Sequence, residues 1–248
     1  MMMTELIGKR ALVTGGSRGI GAAIALSLAE KGADVVLTYE RSADRAAEVV
    51  RQVEGQGRRG IAVQADSADP AAIKRAVDET AAALGGLDIL VNNAAIAAYA
   101  TIAEIEVATI DALLKVNVRG PILAAQAAIP HLGAGGRIIT IGSGGADRIV
   151  GVTGTVYFMT KSALQAFTRG LALELGARDI TVNLVQPGST DTDMNPADGE
   201  YADFQRSISA LGRYGTPADV ASAVAFLASP AARHITAAIL NVDGGQTA

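Results

Sequence analysis

The chain has 248 residues, with 21 basic and 25 acidic side chains and a formal net charge of −4. Half of the residues are hydrophobic and 19% are charged, which predicts a large buried core and excludes an intrinsically disordered chain. The absence of cysteine excludes disulfides and thiolate-ligated metal sites, and two histidines are too few for a histidine-rich site, so no metal is predicted.

Short β-branched segments alternate with longer alanine-rich amphipathic segments along the chain. Most of the short segments are almost continuously apolar, as expected for strands that helices cover on both faces. The predicted strands are Arg10–Thr14, Asp34–Tyr39, Gly60–Gln64, Leu87–Val91, Arg137–Ile141, Thr181–Val185 and Ile239–Val242. The predicted helices are Ile20–Lys31, Ala43–Glu54, Ala71–Leu84, Ile105–Ala128, Val156–Leu175 and Ala218–Ala228. The alternation predicts one α/β domain over residues 1–248, a doubly wound parallel sheet of about seven strands with helices on both faces.

Three predicted helices have recognisable ends. Gly32 follows the first helix as a stop signal. Asp69 and Thr216, each followed by a proline, are predicted to cap the third and the last helix.

One segment, from Pro187 to about Gly215, is predicted to be long and irregular, with Phe204, Ile208 and Leu211 spaced for a short helix. Connections longer than about 12–15 residues are usually functional in compact domains. The segment follows the carboxyl end of a strand, where open α/β sheets bind ligands. Residues from about 188 to 215 are therefore predicted to form a substrate lid, and a surface insertion without a function is the alternative.

The turn between the first strand and the first helix reads Thr-Gly-Gly-Ser-Arg-Gly-Ile-Gly over residues 14–21. Gly15 allows a sharp turn, Gly19 allows the backbone to approach a pyrophosphate, and Gly21 allows close packing of the helix. The following helix N-terminus offers unpaired N–H groups and a positive dipole end to an anion. The turn therefore predicts nucleotide binding.

The Gly-x-x-x-Gly-x-Gly spacing resembles the glycine motif of the short-chain dehydrogenase/reductase family, which implies a Rossmann-type fold. The resemblance covers nearly the whole chain, from about residue 8 to 245, and includes Asn92-Asn93-Ala94-Ala95, where Ala95 stands in place of the family's glycine. The cofactor-binding residues that the resemblance implies are Gly15, Ser17, Arg18, Gly19, Ile20, Gly21, Tyr39, Arg41, Ser42, Asp66, Ser67, Asn93, Ala94, Tyr157, Lys161, Pro187, Gly188, Thr190 and Thr192.

The end of the second strand indicates which dinucleotide is bound. An acidic side chain there would hydrogen-bond the ribose diol of NAD and repel a 2′-phosphate, but the aligned residue is Tyr39. Arg18, Arg41 and Ser42 suit a phosphate, and strand alternation directs Glu40 away from the side of Tyr39. NADP(H) is therefore predicted in preference to NAD(H).

Tyr157 and Lys161 are four residues apart in a predicted helix, so they lie on one face about one turn apart. A free tyrosine has a pKa of about 10 and is a poor base at neutral pH. A neighbouring ammonium favours the phenolate and is predicted to lower this pKa, which would allow the phenol to exchange a proton with a substrate oxygen.

Ser143 follows an apolar strand, and Asn117 lies within the predicted helix over residues 105–128. With Tyr157 and Lys161 they match the family's catalytic set in order. The resemblance implies that Tyr157 is the general acid or base and that Lys161 lowers its pKa and holds the nicotinamide ribose. It also implies that Ser143 orients the carbonyl and that Asn117 holds a water that links Lys161 to solvent.

Two functions from different classes remain open. The first is an NADP(H)-dependent oxidoreductase of a small carbonyl or secondary alcohol, with 3-oxoacyl-acyl-carrier-protein reductase as one form. The second is a receptor on the same fold, because residues 143–148 and 186–196 resemble a subgroup that includes a cyclic-di-GMP-binding biofilm-dispersal protein. Asp147 and Arg148 could meet a polar ligand there, although a surface ion pair is the preferred interpretation.

The sequence also predicts the cellular location, the partners and the oligomeric state of the protein. No signal peptide, no membrane span and no basic cluster is recognisable, so a cytoplasmic protein that binds neither membranes nor nucleic acid is predicted. The family implies a homotetramer, with the predicted helices over residues 105–128 and 156–175 at subunit contacts. Phe158 and Met159 are interpreted as helix packing, at such a contact.

Overall fold

One parallel sheet organises the chain, in a computed structural model that describes residues 5–248. Its seven strands lie in the order β3-β2-β1-β4-β5-β6-β7, and every neighbouring pair is parallel. The order reverses direction between β1 and β4, which is where a doubly wound sheet opens a crevice for a ligand. The strands are β1 Arg10–Val13, β2 Asp34–Tyr39, β3 Gly60–Gln64, β4 Leu87–Asn92, β5 Leu132–Ile141, β6 Thr181–Pro187 and β7 Ile239–Val242.

Helices cover both faces of this sheet because successive strand residues point to opposite sides. In β5, Ile139 packs with α1, α2 and α8, whereas its neighbour Ile138 packs with α3, α5 and α6. The helices are α1 Gly19–Glu30, α2 Ala43–Gly55, α3 Pro70–Leu84, α4 Val107–Leu114, α5 Gly120–Ala128, α6 Thr155–Leu175, α7 Ala202–Ser207 and α8 Pro217–Ala228. The predicted single-domain fold with about seven strands is confirmed.

The predicted helix caps form as expected. The Asp69 side chain accepts a hydrogen bond from the Ala71 N–H, and Thr216 forms a reciprocal capping box with Asp219. Gly32 follows α1 with a φ of 107°, a conformation that favours glycine.

Two elements differ clearly from the prediction, and the ends of the others differ by at most two residues. Strand β5 begins at Leu132, five residues before the predicted Arg137, because Leu132 already pairs with Leu87 and a bulge separates this pair from the rest of the ladder. The predicted helix over residues 105–128 begins at Val107 and is interrupted by a π-helical turn over Lys115–Arg119.

The segment after β6, residues 188–215, is called the lid segment below. It is irregular, as predicted, and its one helix is α7. That helix contains Phe204 but ends at Ser207, so Ile208 and Leu211 lie beyond it and do not extend an apolar helix face. Two isolated bridges fix the base of the segment, between Thr190 and Gly215 and between Thr192 and Asn195.

Within residues 5–248, no helix has the length and apolar character needed to cross a bilayer. His234 is exposed. His131 is half-buried, and its Nε2 lies 3.0 Å from Asp78 Oδ1 on α3.

Candidate active site

The glycine turn is held at the carboxyl end of the sheet by the loop after β4. The Thr14 hydroxyl accepts hydrogen bonds from the backbone N–H groups of Asn93 and Ala94, both at 3.0 Å. The Asn93 amide donates to the carbonyl oxygens of Thr14 and Gly15, at 2.9 and 3.0 Å. The side-chain amide of Asn93, a residue predicted to bind the cofactor, therefore holds the glycine turn in place.

Glycine is required at two points of this turn by close approaches. A Cβ on Gly15 would lie 2.9 Å from the Ala94 Cα, and a Cβ on Gly21 would lie 2.3 Å from the Gly15 carbonyl oxygen. Gly19 has a φ of 54°, and the nearest atom to a Cβ there would be the Thr192 methyl group of the lid segment, at 3.4 Å. The lid segment thus begins directly above the turn.

The N-terminus of α1 is available to an anion. Its N-cap residue Arg18 makes no side-chain cap, so the side chain leaves the first N–H groups of the helix unsatisfied. The turn and this helix end form a cradle of backbone donors of the kind that binds a pyrophosphate. Ser17 and Ile20 lie half-buried within the same cradle.

The residues predicted to surround the adenosine end all lie at the carboxyl ends of β2 and β3. Tyr39 packs its ring against the α1–α2 side of the core. The Asp66 Oδ1 accepts from the Ala68 N–H at 2.7 Å, which fixes this exposed carboxylate, and Ser67 beside it is half-buried. Ser42 precedes α2 without capping it through its side chain.

Arg41 is not directed at the glycine turn. Its side chain is 88% exposed, and its Nε lies 2.8 Å from Glu40 Oε1. Strand alternation is predicted to direct Glu40 away from the side of Tyr39, and Glu40 here pairs with Arg41, one of the residues predicted to suit the phosphate. The arginine that accompanies Arg18 is Arg45, one helical turn after Arg41, and both Arg18 and Arg45 contact Asp193 of the lid segment. Arg45 and Asp193 are 148 positions apart, so no local sequence pattern could have indicated this contact.

Four further residues predicted from the resemblance lie where β6 ends and the lid segment begins. Pro187 ends β6, and the Gly188 N–H donates to the Val242 carbonyl oxygen. Thr190 is buried and its hydroxyl donates to the Gly188 carbonyl oxygen, whereas Thr192 is half-buried above the glycine turn.

Tyr157 and Lys161 lie in the first two turns of α6, as predicted, and both are buried, with 9% and 3% of their surfaces exposed. The Lys161 Nζ donates to the Ile141 carbonyl oxygen at the end of β5, at 3.0 Å. Burial lowers the pKa of Lys161 to about 8. The ammonium is therefore anchored to the strand that also carries Ser143 into the site.

The pKa of Tyr157 shifts in the direction opposite to the prediction. Burial raises this pKa, the nearby Tyr99 raises it further, and the Ser143 hydroxyl acts in the lowering direction. Desolvation outweighs any effect of Lys161 here, because the charged phenolate loses more hydration than its surroundings return. In the cofactor-free chain burial therefore favours the protonated phenol and makes Tyr157 a weaker acid than a free tyrosine.

Asn117 lies in the π-helical turn and its side chain is fully used. Its Oδ1 accepts from the Ile96 N–H at 2.9 Å, and its Nδ2 donates to the Ile96 carbonyl oxygen and to the Thr160 hydroxyl, at 2.9 and 3.1 Å. The amide therefore ties the loop after β4 to α6 and has no hydrogen left for a water. The predicted water would therefore have to donate to the second lone pair of the Asn117 Oδ1 or contact the backbone of the π-helical turn.

Aromatic rings form the wall beside Tyr157. The ring centroid of Tyr99 lies 5.7 Å from that of Tyr157 and 6.4 Å from that of Phe158. A Cβ on Gly145 would lie 2.1 Å from the Phe158 ring, and one on Gly154 would lie 2.9 Å from the Tyr99 ring, so two glycines make room for the rings. Phe158 thus packs inside its own chain, whereas Met159, interpreted in the same way, is 49% exposed.

Asp147 and Arg148 do not form the ion pair that the sequence favoured. Asp147 accepts from the amides of Gln165 and Gln186, at 2.6 and 2.7 Å. Arg148 donates to the carbonyl oxygen of Gln246, at 3.0 Å. Asp147 is thus bound by amides on α6 and β6, whereas Arg148 is bound by the C-terminal residues.

The comparisons with known proteins agree with this geometry. Residues 15–247 match the family described as enoyl-(acyl carrier protein) reductase. A short-chain dehydrogenase from Burkholderia cenocepacia, solved in complex with NADP, superposes with a TM-score of 0.97 at 57% identity, over 98% of this chain and 100% of the other. The chain belongs to the short-chain dehydrogenase/reductase family. As a member of that family it is an oxidoreductase.

Two curated relatives show the range of this family around the chain. The cyclic-di-GMP-binding biofilm dispersal mediator protein of Escherichia coli is 42% identical, over 98% of each chain. A versicolorin reductase of Emericella nidulans is 41% identical, over 97% of this chain and 96% of the other. The resemblance to the dispersal-protein subgroup is confirmed, and reductases are equally similar to this short-chain dehydrogenase/reductase.

Proposed function

We propose that this short-chain dehydrogenase/reductase is an NADP(H)-dependent reductase of a small carbonyl compound, with Tyr157 as the proton donor. The observation that carries the proposal is the buried phenol of Tyr157, with the Ser143 hydroxyl beside it and the Lys161 side chain one helical turn onward. A receptor would have no use for a phenol in this environment.

The residues of the cradle fit a phosphorylated dinucleotide. The glycine turn brings backbone N–H donors to the carboxyl end of the sheet, and Arg18 and Arg45 supply positive charge beside it. A side chain at position 15 or 21 would close the turn against its own backbone or the loop after β4. When bound, NADPH supplies the hydride of the reduction.

The protein's own residues then handle the proton. Ser143 orients the carbonyl oxygen, and the Tyr157 hydroxyl donates its proton to that oxygen, which leaves a phenolate in the protein. Lys161 and Ser143 stabilise this phenolate by charge and by a hydrogen bond. Burial raises the pKa of Tyr157, so the phenol is protonated at neutral pH, the form that a proton donor needs.

Two parts of the proposal concern the surroundings of the site. We propose that the lid segment covers the substrate, since its base lies over Gly19. We propose a homotetramer, since Val107 and Leu114 on α4 and Leu173 on α6 are exposed apolar residues on the helices assigned to subunit contacts. Light scattering that gives the mass of four chains would support the tetramer, and the mass of one chain would contradict it.

The cyclic-dinucleotide receptor is the second candidate, and the 42% identical relative favours it. The arrangement of Arg148 does not, because this side chain already donates to backbone carbonyl oxygens. Oxidation of NADPH in the presence of a panel of small ketones, followed by absorbance, tests the enzyme. Titration of the same protein with cyclic-di-GMP tests the receptor, and binding without any NADPH oxidation would reverse the preference.

A further inference from the structure

Two segments that border the site come from different strands. Residues 143–148, called the serine loop below, follow β5, and the lid segment follows β6. Within residues 5–248, no hydrogen bond joins the serine loop directly to the lid segment. Both segments instead contact residues 243–247, which follow β7 and are called the β7 turn below.

The β7 turn is closed by its own first side chain. The Asp243 carboxylate accepts hydrogen bonds from the N–H groups of Gly245 and Thr247, at 2.9 and 3.0 Å, and from the Thr247 hydroxyl, at 2.6 Å. Gly244 and Gly245 have φ values of 62° and 81°, a conformation that favours glycine. The turn therefore has one well-defined shape, to which other segments can be fixed.

The lid segment is fixed to the β7 turn near both of its ends. Near the first end, the Gln246 Oε1 accepts hydrogen bonds from the Ser189 N–H and hydroxyl groups, at 3.1 and 3.3 Å. Near the second end, the Gly244 carbonyl oxygen accepts from the Ser209 hydroxyl and the Leu211 N–H, both at 3.0 Å. Only 7% of Gln246 is exposed, so water does not readily replace its bonds, in contrast to the surface ion pairs elsewhere in the lid segment.

The serine loop is fixed to the same turn. The Arg148 Nη1 donates to the Gln246 carbonyl oxygen at 3.0 Å, and a Cβ on Gly144 would lie 3.3 Å from the Thr247 methyl group. Gln246 thus holds the lid segment with its side chain and the serine loop with its backbone. A change of the Gln246 side chain therefore cuts the contact with the lid segment and keeps the acceptor of Arg148.

We propose that Gln246 is a positioning residue, through which the β7 turn sets the lid segment relative to Ser143. The inference rests on the proposed function, in which the substrate lies between these two segments. Within the described part of the chain, Gln246 makes no hydrogen bond to Ser143, Tyr157 or Lys161. Its loss should therefore weaken substrate binding more than it slows the chemical step.

Steady-state kinetics of Gln246→Met with NADPH and a reducible ketone tests the contact with the lid segment. Methionine fills a similar volume but offers Ser189 no oxygen acceptor. The KM for the ketone should rise by about three- to tenfold, the effect of about one hydrogen bond, and kcat should fall by less than about twofold. Ser189→Ala removes only the longer of the two bonds and should raise KM by less than about threefold. An unchanged KM in Gln246→Met would overturn the inference.

Asn183→Leu is the matched control for a loss of stability alone. Asn183 is a fully buried amide on β6, and it bonds to the Ile235 carbonyl oxygen and the Ala238 N–H, at 2.8 and 3.1 Å, before β7 begins. The substitution should lower the melting temperature and leave the KM for the ketone unchanged. A rise in KM as large as that of Gln246→Met would show that KM follows stability, and the positioning role would be wrong.

A double-mutant cycle with Arg148→Met tests whether the turn couples the two segments. Arg148→Met cuts the turn from the serine loop and should lower kcat/KM by about two- to fivefold. Because either substitution interrupts the same connection, the double variant with Gln246→Met should lose clearly less than the product of the two single effects. A wild-type kcat/KM for Arg148→Met, or single effects that multiply, would contradict the coupling.

Amide hydrogen exchange supplies a readout that does not depend on turnover. Gln246→Met should speed exchange in a peptide over residues 188–194, where the Ser189 N–H loses its acceptor, and should leave a peptide from α6 unchanged. Equal exchange in the wild-type protein and Gln246→Met would overturn the inference. Wild-type protein that oxidises NADPH with no ketone would contradict the proposed function, whereas the exchange result would still decide whether Gln246 holds the lid segment.

Discussion

The first turns of α6 and the lid segment approach the same site, but they are held in different ways. Tyr157 and Lys161 are buried, and Lys161 donates to a backbone carbonyl oxygen of β5. In the lid segment, Asp193 and Asp203 are exposed and pair with arginines at the surface. The residues assigned to proton transfer are thus fixed by the core, and the residues assigned to substrate closure are fixed by contacts that water can replace.

This difference has an energetic meaning. A buried charged or polar group that loses its one hydrogen bond costs about 1–3 kcal/mol or more, whereas an exposed ion pair contributes about 0–1 kcal/mol. The region around α6 is therefore expected to keep the same structure in every state of the folded protein. The lid segment is expected to open at little cost, as substrate entry requires.

Tyr157→Phe should have the largest effect of these substitutions. It should lower turnover and leave cofactor binding and stability unchanged. The substitution removes the proton donor and keeps the ring, so turnover with a reducible ketone is expected to fall by about 10²–10⁴-fold. NADP⁺ affinity and the melting temperature should stay near the wild-type values, because the hydroxyl serves the reaction and not the core. Steady-state kinetics and cofactor titration check this. Turnover within tenfold of wild type would remove Tyr157 from the mechanism.

Lys161 should make the free energy of unfolding depend on pH. Its pKa is about 8 in the folded protein against 10.5 for the free side chain. Below pH 8 both states bind the proton, and the cost of burying the ammonium is present in full. Between pH 8 and 10.5 the unfolded state binds more protons than the folded state, so the free energy of unfolding rises with pH, by at most about 3 kcal/mol.

Lys161→Met isolates this contribution because methionine fills a similar volume without titrating. Denaturant unfolding of both cofactor-free proteins between pH 7 and 10 gives the difference in the free energy of unfolding. The wild-type protein should gain stability relative to the variant as the pH rises. A difference that is constant, or that falls with pH, would mean that Lys161 is not buried as a charged group.

Asn117→Ala should lower stability by about 2–4 kcal/mol, since it leaves the Ile96 backbone N–H and carbonyl groups and the Thr160 hydroxyl without this side chain. Turnover should fall as well, because the loop after β4 loses its tie to α6. Thr168→Val is a matched control. The Thr168 hydroxyl is buried without a hydrogen-bond partner, so its loss should be neutral or stabilising. Similar losses in chemical denaturation would contradict the role of Asn117.

The same division between regions explains what the sequence could predict. Strands and helices follow from local periodicity, and each predicted strand and long helix is present. Gly15, Tyr157 and Lys161 could be predicted because their roles depend on neighbours close in sequence, in a turn or on one helix face. The general acid–base pair is therefore recognisable before any tertiary contact is known.

The remaining features depend on contacts between distant segments. Arg45 and Asp193 are 148 positions apart, so no local pattern relates them. The π-helical turn forms where Asn117 reaches back to Ile96, and the direction of the pKa shift at Tyr157 depends on burial. Tertiary packing decides these features, and propensity and spacing carry no information about them.

The smallest effect is expected in the lid segment, from Asn195→Ala. The side-chain amides of Asn195 and Gln205 donate to each other at 2.8 and 2.9 Å, which ties the lid base to α7. Because both groups can turn to water, the free energy of unfolding should fall by less than about 1 kcal/mol. Trypsin cleavage at Arg206 and Arg213 should become several times faster, and the KM for the ketone should rise more than kcat falls. Gln52→Ala, which removes an exposed amide bonded to Glu48 on α2, should change none of these. A loss of stability as large as that of Asn117→Ala would show that the lid segment unfolds together with the core, and the distinction between the two regions would then disappear.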